Sequence, residues 1–355
     1  MKTSIIPVFI PHIGCPYRCV FCNQWRITGH QGVPRAVNVA AQIAHYTEGV
    51  QERRHWEVAF YGGSFTAIPA ALQEELLAPA KEALEQGRIA AIRCSTRPDC
   101  ITPEVLRRLA QYGLTIVELG VQSMDEGVLK KAKRGHTANS ATYFNTGKPK
   151  EIFGAVGHQL MPGLPGEDRA SLVRTTAAIC RLKPDLARIY PVAVIDGTEL
   201  AESYKQGEYR PLSIHEGVQR AAYMKQRLLE TGIPVIRTGL QATRDLDDPS
   251  QVLAGAYTPA MGELVDTKRY QKQLFSVLDT VAVQVTAIAC NRHDISRTRG
   301  YHKVTVKRAA LRYKRSFTWQ EDNGLPEGTI AVRTANREYR IKTSAGTVQC
   351  KDTEA

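Results

Sequence analysis

Short runs of apolar, largely β-branched residues alternate with amphipathic segments along the first two-thirds of the chain. The runs are continuous rather than alternating, which is typical of strands buried on both faces of a parallel sheet. They predict strands at residues 4–10, 57–61, 89–94, 115–119, 155–161 and 186–192. Helices are predicted between them at residues 36–48, 70–85, 103–111, 125–133 and 168–181. Six strand–helix units in series predict an α/β fold, a partial (β/α)6 TIM-like barrel with its ligands at the carboxyl ends of the strands.

One predicted barrel helix does not fit this pattern. Residues 137–153 stand where the fifth helix is expected, yet they contain Gly147 and Pro149 near their middle. In a helix interior, Gly costs about 1 kcal/mol and Pro about 3 kcal/mol relative to Ala. Either the barrel has a loop at this place or the sequence of this segment is abnormal, and the sequence alone favours neither alternative.

The pattern changes beyond a longer helix that is predicted at residues 213–230. Apolar runs that predict further strands lie at residues 281–288, 303–306 and 329–333. Basic, Gly-containing and Pro-containing segments separate them, as expected for short strands joined by loops. We therefore expect two domains, a barrel over residues 1–239 and a small basic α+β extension over residues 240–355.

The 355 residues are 43% hydrophobic and 23% charged, an ordinary balance for a globular protein. No apolar run approaches the ~20 residues that span a bilayer, and the amino terminus reads as a strand that leads directly to Cys15, not as a signal peptide. We therefore expect a cytoplasmic protein with no membrane partner, whose eight cysteines are reduced. The net charge of +12 favours polyanionic partners, nucleic acid above all, although a protein that happens to be basic has the same charge.

Cys15, Cys19 and Cys22 form a C-x3-C-x2-C motif directly after the first predicted strand. Thiolate is the ligand that iron–sulfur clusters prefer, and three thiolates on one loop can surround three irons of a [4Fe–4S] cubane. Since electron-transfer clusters usually have four protein ligands, three cysteines leave one iron open to a substrate or cofactor. Two alternatives stay open: a zinc site completed by His12 or His30, and three cysteines clustered by chance.

The cysteine loop, with Phe21 before its last cysteine, resembles the signature of radical S-adenosylmethionine (radical-SAM) enzymes. Supporting motifs follow in the order of that superfamily: YGGSF at 61–65, STRPD at 95–99, ELGVQS at 118–123, RGHT at 134–137 and QLMPGLPG at 159–166. The set is most similar to the radical-SAM domain of elongator subunit three-like, tRNA-modifying enzymes, over roughly residues 5–235. Those enzymes carry an acetyltransferase domain, and we expect this chain to lack it.

The resemblance implies two cofactors and the residues that bind them. Cys15, Cys19 and Cys22 would hold a [4Fe–4S] cluster, whose open iron would be chelated by the amine and carboxylate of S-adenosylmethionine (SAM). The residues implied for SAM binding are Phe21, Gly62, Gly63, Ser95, Gln122, Arg134 and Gln159. The two glycines would receive the methionine amine, because backbone without Cβ can approach a ligand closely. One electron, from a donor such as flavodoxin or ferredoxin, would split SAM into methionine and a 5′-deoxyadenosyl radical that abstracts hydrogen from the substrate.

A basic segment at residues 292–315 is the main indication of a macromolecular partner. It contains nine Lys or Arg residues and a single acid, Asp294. Aromatic residues interleave with or follow these charges: Tyr301, Tyr313, Phe317 and Trp319. Basic and aromatic side chains together suit RNA phosphates and unstacked bases, although a solvated basic face has the same composition. We therefore expect a surface here that binds tRNA.

Three hypotheses for the function follow. The first is a radical-SAM enzyme that modifies tRNA in the elongator-like manner, and the second is a radical-SAM enzyme that acts on a small molecule, as coproporphyrinogen oxidase does. The third is a non-catalytic iron–sulfur or RNA-binding protein that keeps the fold. The intact Gly62-Gly63 pair and Gln122 argue against the third hypothesis. The sequence assigns no residue as the catalytic one.

Overall fold

The computed structural model describes residues 3–10, 12–28, 32–48, 55–146 and 152–352. Its main feature is a sheet of seven parallel strands that curls into a partial barrel. The first six are β1 Thr3–Ile10, β2 His55–Gly62, β3 Ala91–Thr96, β4 Leu114–Gln122, β5 Ala155–Leu160 and β6 Leu186–Ile189. They lie side by side in chain order, and Val235–Thr238 adds a seventh strand beside β6. The predicted α/β partial barrel is confirmed, and its seventh strand is an addition to the prediction.

Helices connect the successive strands, and one short helix follows the seventh strand. Their bounds are Gln24–Thr28, Ala36–Thr47, Ala70–Glu85, Pro103–Gln111, Glu126–Lys131, Ala138–Thr146, Arg169–Leu182, Glu199–Lys205, Ile214–Glu230 and Arg244–Asp247. Thr102 caps one of them by accepting a hydrogen bond from Val105 N at 3.4 Å, with Pro103 at the first helical position. Asp168 and Ser171 exchange reciprocal hydrogen bonds at the start of another. Such caps let the sequence place these helix starts to within a residue or two.

The connection between β4 and β5 contains the helix Ala138–Thr146, so the barrel helix for which the sequence gives conflicting signals is present in part. Gly147 and Pro149 lie outside the described residues, and the description resumes at Ile152, three residues before β5. The described helix contains neither helix breaker, in agreement with the free-energy cost of both residues in a helix interior.

The main core lies between the sheet and its helices, where side chains such as Phe60, Ile92 and Leu119 are fully buried. The middle of the barrel buries charge as well. We call its four charged residues the mid-barrel ion layer: Glu57 of β2, Arg93 of β3, Glu118 of β4 and Arg188 of β6, each at most 7% exposed. These strands are therefore buried on both faces, as predicted. Part of the buried interior consists of charged side chains instead of apolar ones.

A second sheet of five strands belongs to the carboxyl-terminal part of the described chain. In sheet order its strands are Trp319–Glu321, Val285–Cys290, Thr329–Thr334, Arg337–Lys342 and Thr347–Asp352. The helices Met261–Val281, Ile295–Arg299 and Val304–Tyr313 accompany it, which confirms the α+β character of this part. Across the described ranges, every helix is too short or too polar to traverse a bilayer.

Two strand predictions in this part need correction. The sequence predicts a strand at residues 303–306, but these residues lie at the start of the helix Val304–Tyr313. The strand predicted at residues 281–288 is Val285–Cys290, because the long helix Met261–Val281 occupies the start of that run. A short apolar run cannot by itself distinguish a strand from a partly buried helical segment, and that ambiguity caused both errors.

The helix Met261–Val281 joins the two parts of the molecule. Met261 and Val265 near its start are buried in the barrel core, whereas Leu274 and Leu278 near its end are buried in the core of the second sheet. The two cores therefore share one rigid element. The predicted domain boundary before residue 240 precedes this helix and stays a prediction.

Candidate active site

The carboxyl end of the barrel collects most of the residues that the sequence singles out. β2 ends at Gly62, β4 ends at Gln122, and β5 ends one residue after Gln159. The loop with the three cysteines comes shortly after β1. The carboxyl ends of parallel strands meet at one edge of the sheet, where barrel enzymes build their active sites. We call this edge the mouth.

The cysteine thiols contact polar side chains of the mouth. Cys15 Sγ lies 3.5 Å from Ser64 Oγ. Cys19 Sγ accepts a hydrogen bond from Arg134 Nη1 at 3.1 Å and a longer one, at 3.6 Å, from Arg97 Nη1. The thiolate is the form of cysteine that binds metals, and cationic donors of this kind suit it as hydrogen-bond partners.

Cys22 shows why these thiols suit a metal cluster. Burial, and after it the nearby Cys19 and Cys15, raise the pKa of the Cys22 thiol to about 12. The Cys22 thiolate is therefore disfavoured unless a cation compensates its charge. Metal binding provides that compensation and releases the protons. The donor set thus fits a cluster with three cysteine ligands.

The zinc alternative is not supported at His12. Its Nε2 accepts a hydrogen bond from the backbone N–H of Gln24 at 2.8 Å, so this nitrogen is already engaged. His30, the other candidate, lies outside the described residues. Within the described ranges, no group of three His, Cys, Asp or Glu side chains is arranged to hold one metal ion. A cubane does not require that arrangement, because its thiolates bind different irons.

Gly62 and Gly63 are required by the packing of the chain itself. Gly62 has a φ of 118°, and a Cβ there would overlap the carbonyl group of Ile10. A Cβ on Gly63 would overlap the carbonyl oxygen of Ile13, and Gly63 N donates to Ile10 O at 2.8 Å. Beyond the expected approach of a ligand, the structure gives a second reason for the glycines: they let the segment before Cys15 pack onto the end of β2.

Gln122 is held at the mouth in an unfavourable state. Its backbone has a φ of 66°, a left-handed conformation that costs a non-glycine residue roughly 1–2 kcal/mol. Its side chain is 8% exposed, and its Oε1 accepts no hydrogen bond from the described residues. A buried acceptor without a partner costs about 1–3 kcal/mol more. Costs of this kind cluster at ligand-binding sites, which supports Gln122 as a ligand contact.

Arg97 and Arg134 place positive charge beside the thiols. Arg134 is 5% exposed and donates to the carbonyl of Gly120, while its own carbonyl accepts a hydrogen bond from Arg97. Arg97 is fixed in turn by Asp99, with N···O distances of 3.0 and 2.8 Å. Burial, and after it the charge of Arg134, lower the pKa of His136 to about 4, so this imidazole is neutral at pH 7. With His136 neutral, the charged groups here are the guanidinium groups of Arg97 and Arg134 and the carboxylate of Asp99. The resulting excess of positive charge suits thiolates and anionic ligands.

The remaining predicted residues have two different environments. Gln159 Nε2 donates to Ser95 Oγ at 3.0 Å and to Glu118 Oε2 at 3.3 Å, so this pair connects the mouth to the mid-barrel ion layer. Phe21 is 9% exposed and packs in an apolar cluster against which two of the cysteines lie. The structure thus brings Ser95 and Gln159 together, whereas Phe21 supports the cysteine loop from its apolar side.

Four residues of the mouth are missing from the predicted set: Gln24, Ser64, Arg97 and Cys100. Gln24 Nε2 donates to Gly62 O at 2.9 Å and so connects the end of the cysteine loop to β2. The Cys100 thiol is half-buried beside Ser64, and burial raises its pKa. All four stand inside a quoted motif or within two residues of its end. Motif position was therefore the signal that could have identified them.

Below the mouth, the mid-barrel ion layer is balanced in charge. Glu118 is fully buried and lies 2.9 Å from Arg93 Nη1 and 2.5 Å from Arg188 Nε. Arg93 also pairs with Glu57, and Tyr61 OH donates to Glu118 Oε1 at 3.2 Å. Burial by itself would raise the pKa of Glu118, but Arg188 and Arg93 outweigh it and lower the pKa, so the carboxylate stays ionised.

Many side chains of the basic segment at residues 292–315 form hydrogen bonds, ion pairs or packing contacts within the extension itself. Arg315 donates three hydrogen bonds of 2.6–3.0 Å to backbone carbonyls that follow the helix Met261–Val281. Arg297 pairs with Asp294 at 3.1 Å. Three of the four aromatic residues pack against the second core instead of standing free: Tyr313, Phe317 and Trp319. The segment is therefore not a uniform surface of free charges and aromatic faces.

The sequence matches the Radical SAM superfamily over residues 9–177 and the Radical_SAM C-terminal domain over residues 184–271. It is 35% identical over 184 residues to a tRNA uridine(34) acetyltransferase of Methanocaldococcus jannaschii, a match that covers 51% of this chain and 32% of that enzyme. It is 31% identical over 222 residues to an uncharacterized protein of the same organism, covering 59% of this chain and 67% of that protein. The chain thus spans about a third of the length of the acetyltransferase.

Among solved structures, the chain is similar to an archaeal Elp3 from Methanocaldococcus infernus with an N-terminus deletion. The TM-score is 0.59 at 22% identity, and the match covers 95% of this chain and 73% of that chain. At this identity the likeness concerns the fold alone, and it agrees with the partial barrel and the carboxyl-terminal region described above.

Proposed function

Because the chain belongs to the radical SAM superfamily, we propose that it binds a [4Fe–4S] cluster through Cys15, Cys19 and Cys22 and cleaves SAM reductively to modify tRNA. It is an enzyme of this superfamily that is related to Elp3-like tRNA-modifying enzymes. The observation that carries the proposal is the meeting, at one end of the barrel, of three thiols, two buried guanidinium groups and the unpartnered Gln122 oxygen.

The chain's part in this chemistry is to hold and tune the cofactors. When bound, the cluster and SAM supply a one-electron cleavage of a carbon–sulfur bond and the means to abstract hydrogen from a substrate. The three thiolates serve as the cluster's ligands. Hydrogen bonds to a ligating sulfur are among the factors that set a cluster's reduction potential, so Arg134 and Arg97 tune it through Cys19.

For SAM we propose contacts from several strand ends. SAM presents a carboxylate, an amine and ribose hydroxyls, and the Arg134 guanidinium suits the carboxylate. The Gln122 oxygen is free to accept a hydrogen bond from an amine or a hydroxyl. Ser95 and Gln159 add polar groups on neighbouring strands, and the Gly62-Gly63 backbone offers close approach. Phe21 contributes through packing.

tRNA is proposed as the substrate on two grounds. The relatives described above include a tRNA uridine(34) acetyltransferase, and the net charge of +12 favours a polyanion. The match covers only about a third of that relative's length. We therefore limit the proposal to SAM cleavage in the service of tRNA modification, and the acetyl transfer in that relative's name is not part of it.

The electron donor is proposed to approach the tip of the cysteine loop. Tyr17 and Arg18 are exposed there, in the same pocket wall as Lys130 and as Lys133, which is paired with Glu199. A patch of positive charge beside the cluster ligands would attract a negatively charged donor protein, such as a flavodoxin or ferredoxin, and speed its association.

The proposal is tested by anaerobic reconstitution with iron and sulfide, followed by an assay for 5′-deoxyadenosine with and without tRNA. Wild-type protein should form this product with a reductant, and tRNA should increase its yield. Replacing Cys15, Cys19 and Cys22 by Ala should abolish it. The control is the double variant Cys180→Ala/Cys350→Ala, because both of these thiols are free and lie outside the mouth.

Two outcomes would contradict parts of the proposal. Absence of 5′-deoxyadenosine from wild-type protein with a full complement of iron would exclude SAM cleavage. Product formation that responds to a porphyrinogen and not to tRNA would favour the small-molecule hypothesis.

A further inference from the structure

A large basic groove lies between the barrel and the extension, away from the cysteine loop. Its walls are the barrel helices Arg169–Leu182 and Ile214–Glu230 and the helices Met261–Val281 and Val304–Tyr313 of the later part of the chain. The groove has a cavity volume of about 1350 Å³, above the roughly 300–1,000 Å³ of typical small-molecule sites. Its lining contains eight Lys or Arg residues and three acids.

The acids of the groove are already neutralised by arginines. The ion pairs are Glu216 with Arg210 at 2.9 Å, Glu230 with Arg227 at 2.6 Å and Asp279 with Arg312 at 2.7 Å. Four lining cations form no ion pair with any described part of the chain: Arg169, Lys268, Lys272 and Arg308. The groove therefore has a surplus of positive charge that the protein does not compensate.

Three of these cations stand close together. Lys268 and Lys272 are one helical turn apart, so their side chains emerge on the same face of the helix. Burial, and after it the charges of Arg308 and Lys272, lower the pKa of Lys268. Like charges that oppose one another in a concave surface cost free energy unless an anion binds between them. The groove is thus organised in advance for a negatively charged ligand.

The groove reaches the rim of the mouth through one contact. Arg220, which lines the groove, donates to Glu167 Oε1 at 2.6 Å. The same carboxylate oxygen accepts a hydrogen bond from Gly163 N at 2.8 Å, in the loop that directly follows β5. β5 carries Gln159, one of the residues proposed to bind SAM. A ligand that lies along the groove therefore passes beside the loop that borders the mouth.

We propose that this groove binds the phosphate backbone of the RNA substrate, with Lys268, Lys272 and Arg308 as its main phosphate contacts. The inference rests on the proposed function, since it takes the substrate to be RNA. Uncompensated cations spread over two neighbouring helices suit a chain of phosphates, and the volume exceeds that of a small anion site. Binding energy gained here, remote from the cluster, can orient the substrate at the mouth.

The test measures binding of unfractionated tRNA to the full chain over a series of salt concentrations. The groove variant is Lys268→Gln/Lys272→Gln/Arg308→Gln. The control is Arg292→Gln/Lys307→Gln/Lys314→Gln, which removes the same charge from exposed positions of the basic segment that do not line the groove. The groove variant should bind tRNA about tenfold or more weakly at 0.1 M salt, with a log–log salt slope lower by about 2–3, because each lost phosphate contact removes roughly 0.7–0.9. The control should lose about threefold or less.

The outcomes separate this inference from the proposed function. Equal losses in the groove variant and the control, or wild-type affinity in the groove variant, would overturn the inference. Displacement of tRNA by polyglutamate at equal charge concentration would also overturn it, in favour of an acidic protein partner. The single variant Lys272→Gln, which changes an exposed side chain, should weaken tRNA binding about twofold or more. This variant tests the inference if the triple variant fails to fold. Groove-dependent tRNA binding by a protein that forms no 5′-deoxyadenosine would uphold the inference and contradict the proposed function.

Discussion

Two buried polar regions share the strands of the barrel and differ in how their groups are partnered. In the mid-barrel ion layer, two carboxylates and two guanidinium groups form ion pairs within the protein. At the mouth, Arg97 and Arg134 face a single carboxylate, and Gln122 Oε1 has no partner among the described residues. There, burial and the nearby thiols also raise the pKa of Cys22. The charges of the mid-barrel layer are balanced within the protein, whereas the mouth presents groups that a metal cluster and a hydrogen-bond donor would satisfy.

The difference shows that burial and motif membership do not identify a site. Glu118 and Gln122 stand in the same motif, on the same strand, and both are buried. Only their partners distinguish them, since the carboxylate has two arginines and the amide oxygen has none. A buried group that is paired within the protein is costly to leave without its partner, while an unpaired one is a candidate for contact with a ligand.

The largest expected effect concerns the thiols of the mouth. Replacing Cys15, Cys19 and Cys22 by Ala should lower the iron content of anaerobically reconstituted protein from about four atoms per chain to none, because the cluster loses every cysteine ligand. Iron analysis and the visible absorbance of the cluster measure this. The metal-free variant should keep the circular dichroism of the metal-free wild type. Retention of iron by the variant would contradict the cluster assignment.

A substitution in the mid-barrel ion layer should lower the stability of the fold instead of the iron content. Glu118→Gln removes a carboxylate that compensates Arg93 and Arg188, so the free energy of unfolding should fall by about 3–5 kcal/mol. Denaturant unfolding measures the loss. The control is Glu199→Gln, which breaks an exposed ion pair with Lys133 and should cost less than about 1 kcal/mol. Similar losses in the two variants would show that the ion layer is not a stabilising unit.

The neutral imidazole of His136 predicts a pH dependence of stability. The pKa of His136 is about 4 in the folded protein, against an ordinary value of 6.5 for histidine, so the unfolded chain binds the proton more tightly. The contribution of the neutral imidazole to the free energy of unfolding is fully present above pH 6.5 and is lost as the pH falls towards 4. Between pH 7 and pH 5 the metal-free protein should lose about 2 kcal/mol through this group. In His136→Gln this part of the pH dependence should disappear, and an unchanged dependence would contradict the assignment.

A smaller stability effect is expected at Gln122, in the opposite direction. Gln122→Gly relieves a positive φ and removes an unpartnered buried oxygen, so the free energy of unfolding should stay the same or rise by about 1 kcal/mol. Iron content should be unchanged, and SAM should bind about tenfold more weakly. Equilibrium unfolding and a SAM titration check both parts. A destabilised variant with normal SAM affinity would assign Gln122 a structural role.

The barrel was predictable because its strands are continuous apolar runs and its motifs stand at strand ends. Thr102-Pro103 fixed a helix start, and parallel topology brought the cysteine loop and Gln122 to one edge. The mid-barrel ion layer could not be foreseen in this way. Arg93 and Arg188 pair with Glu118 only because β3, β4 and β6 curl around one interior, which is a long-range property of the fold.

The extension was harder to predict for two physical reasons. The run at residues 303–306 has strand composition, yet tertiary packing makes it the start of a helix. The charges of the basic segment look equivalent in sequence, but Arg315 holds backbone carbonyls and Arg308 lines the groove. Composition counts charges, and only the fold shows which of them are left uncompensated.

The central claim is that the mouth holds a cluster with three cysteine ligands and leaves one iron for SAM. The most direct measurement is the electron paramagnetic resonance spectrum of the reduced, reconstituted wild-type protein with and without saturating SAM. The account predicts that SAM shifts the spectrum, and that Gln122→Gly requires more SAM for the same shift at equal iron content. An unchanged spectrum at saturating SAM, in protein that carries about four irons per chain, would contradict the account.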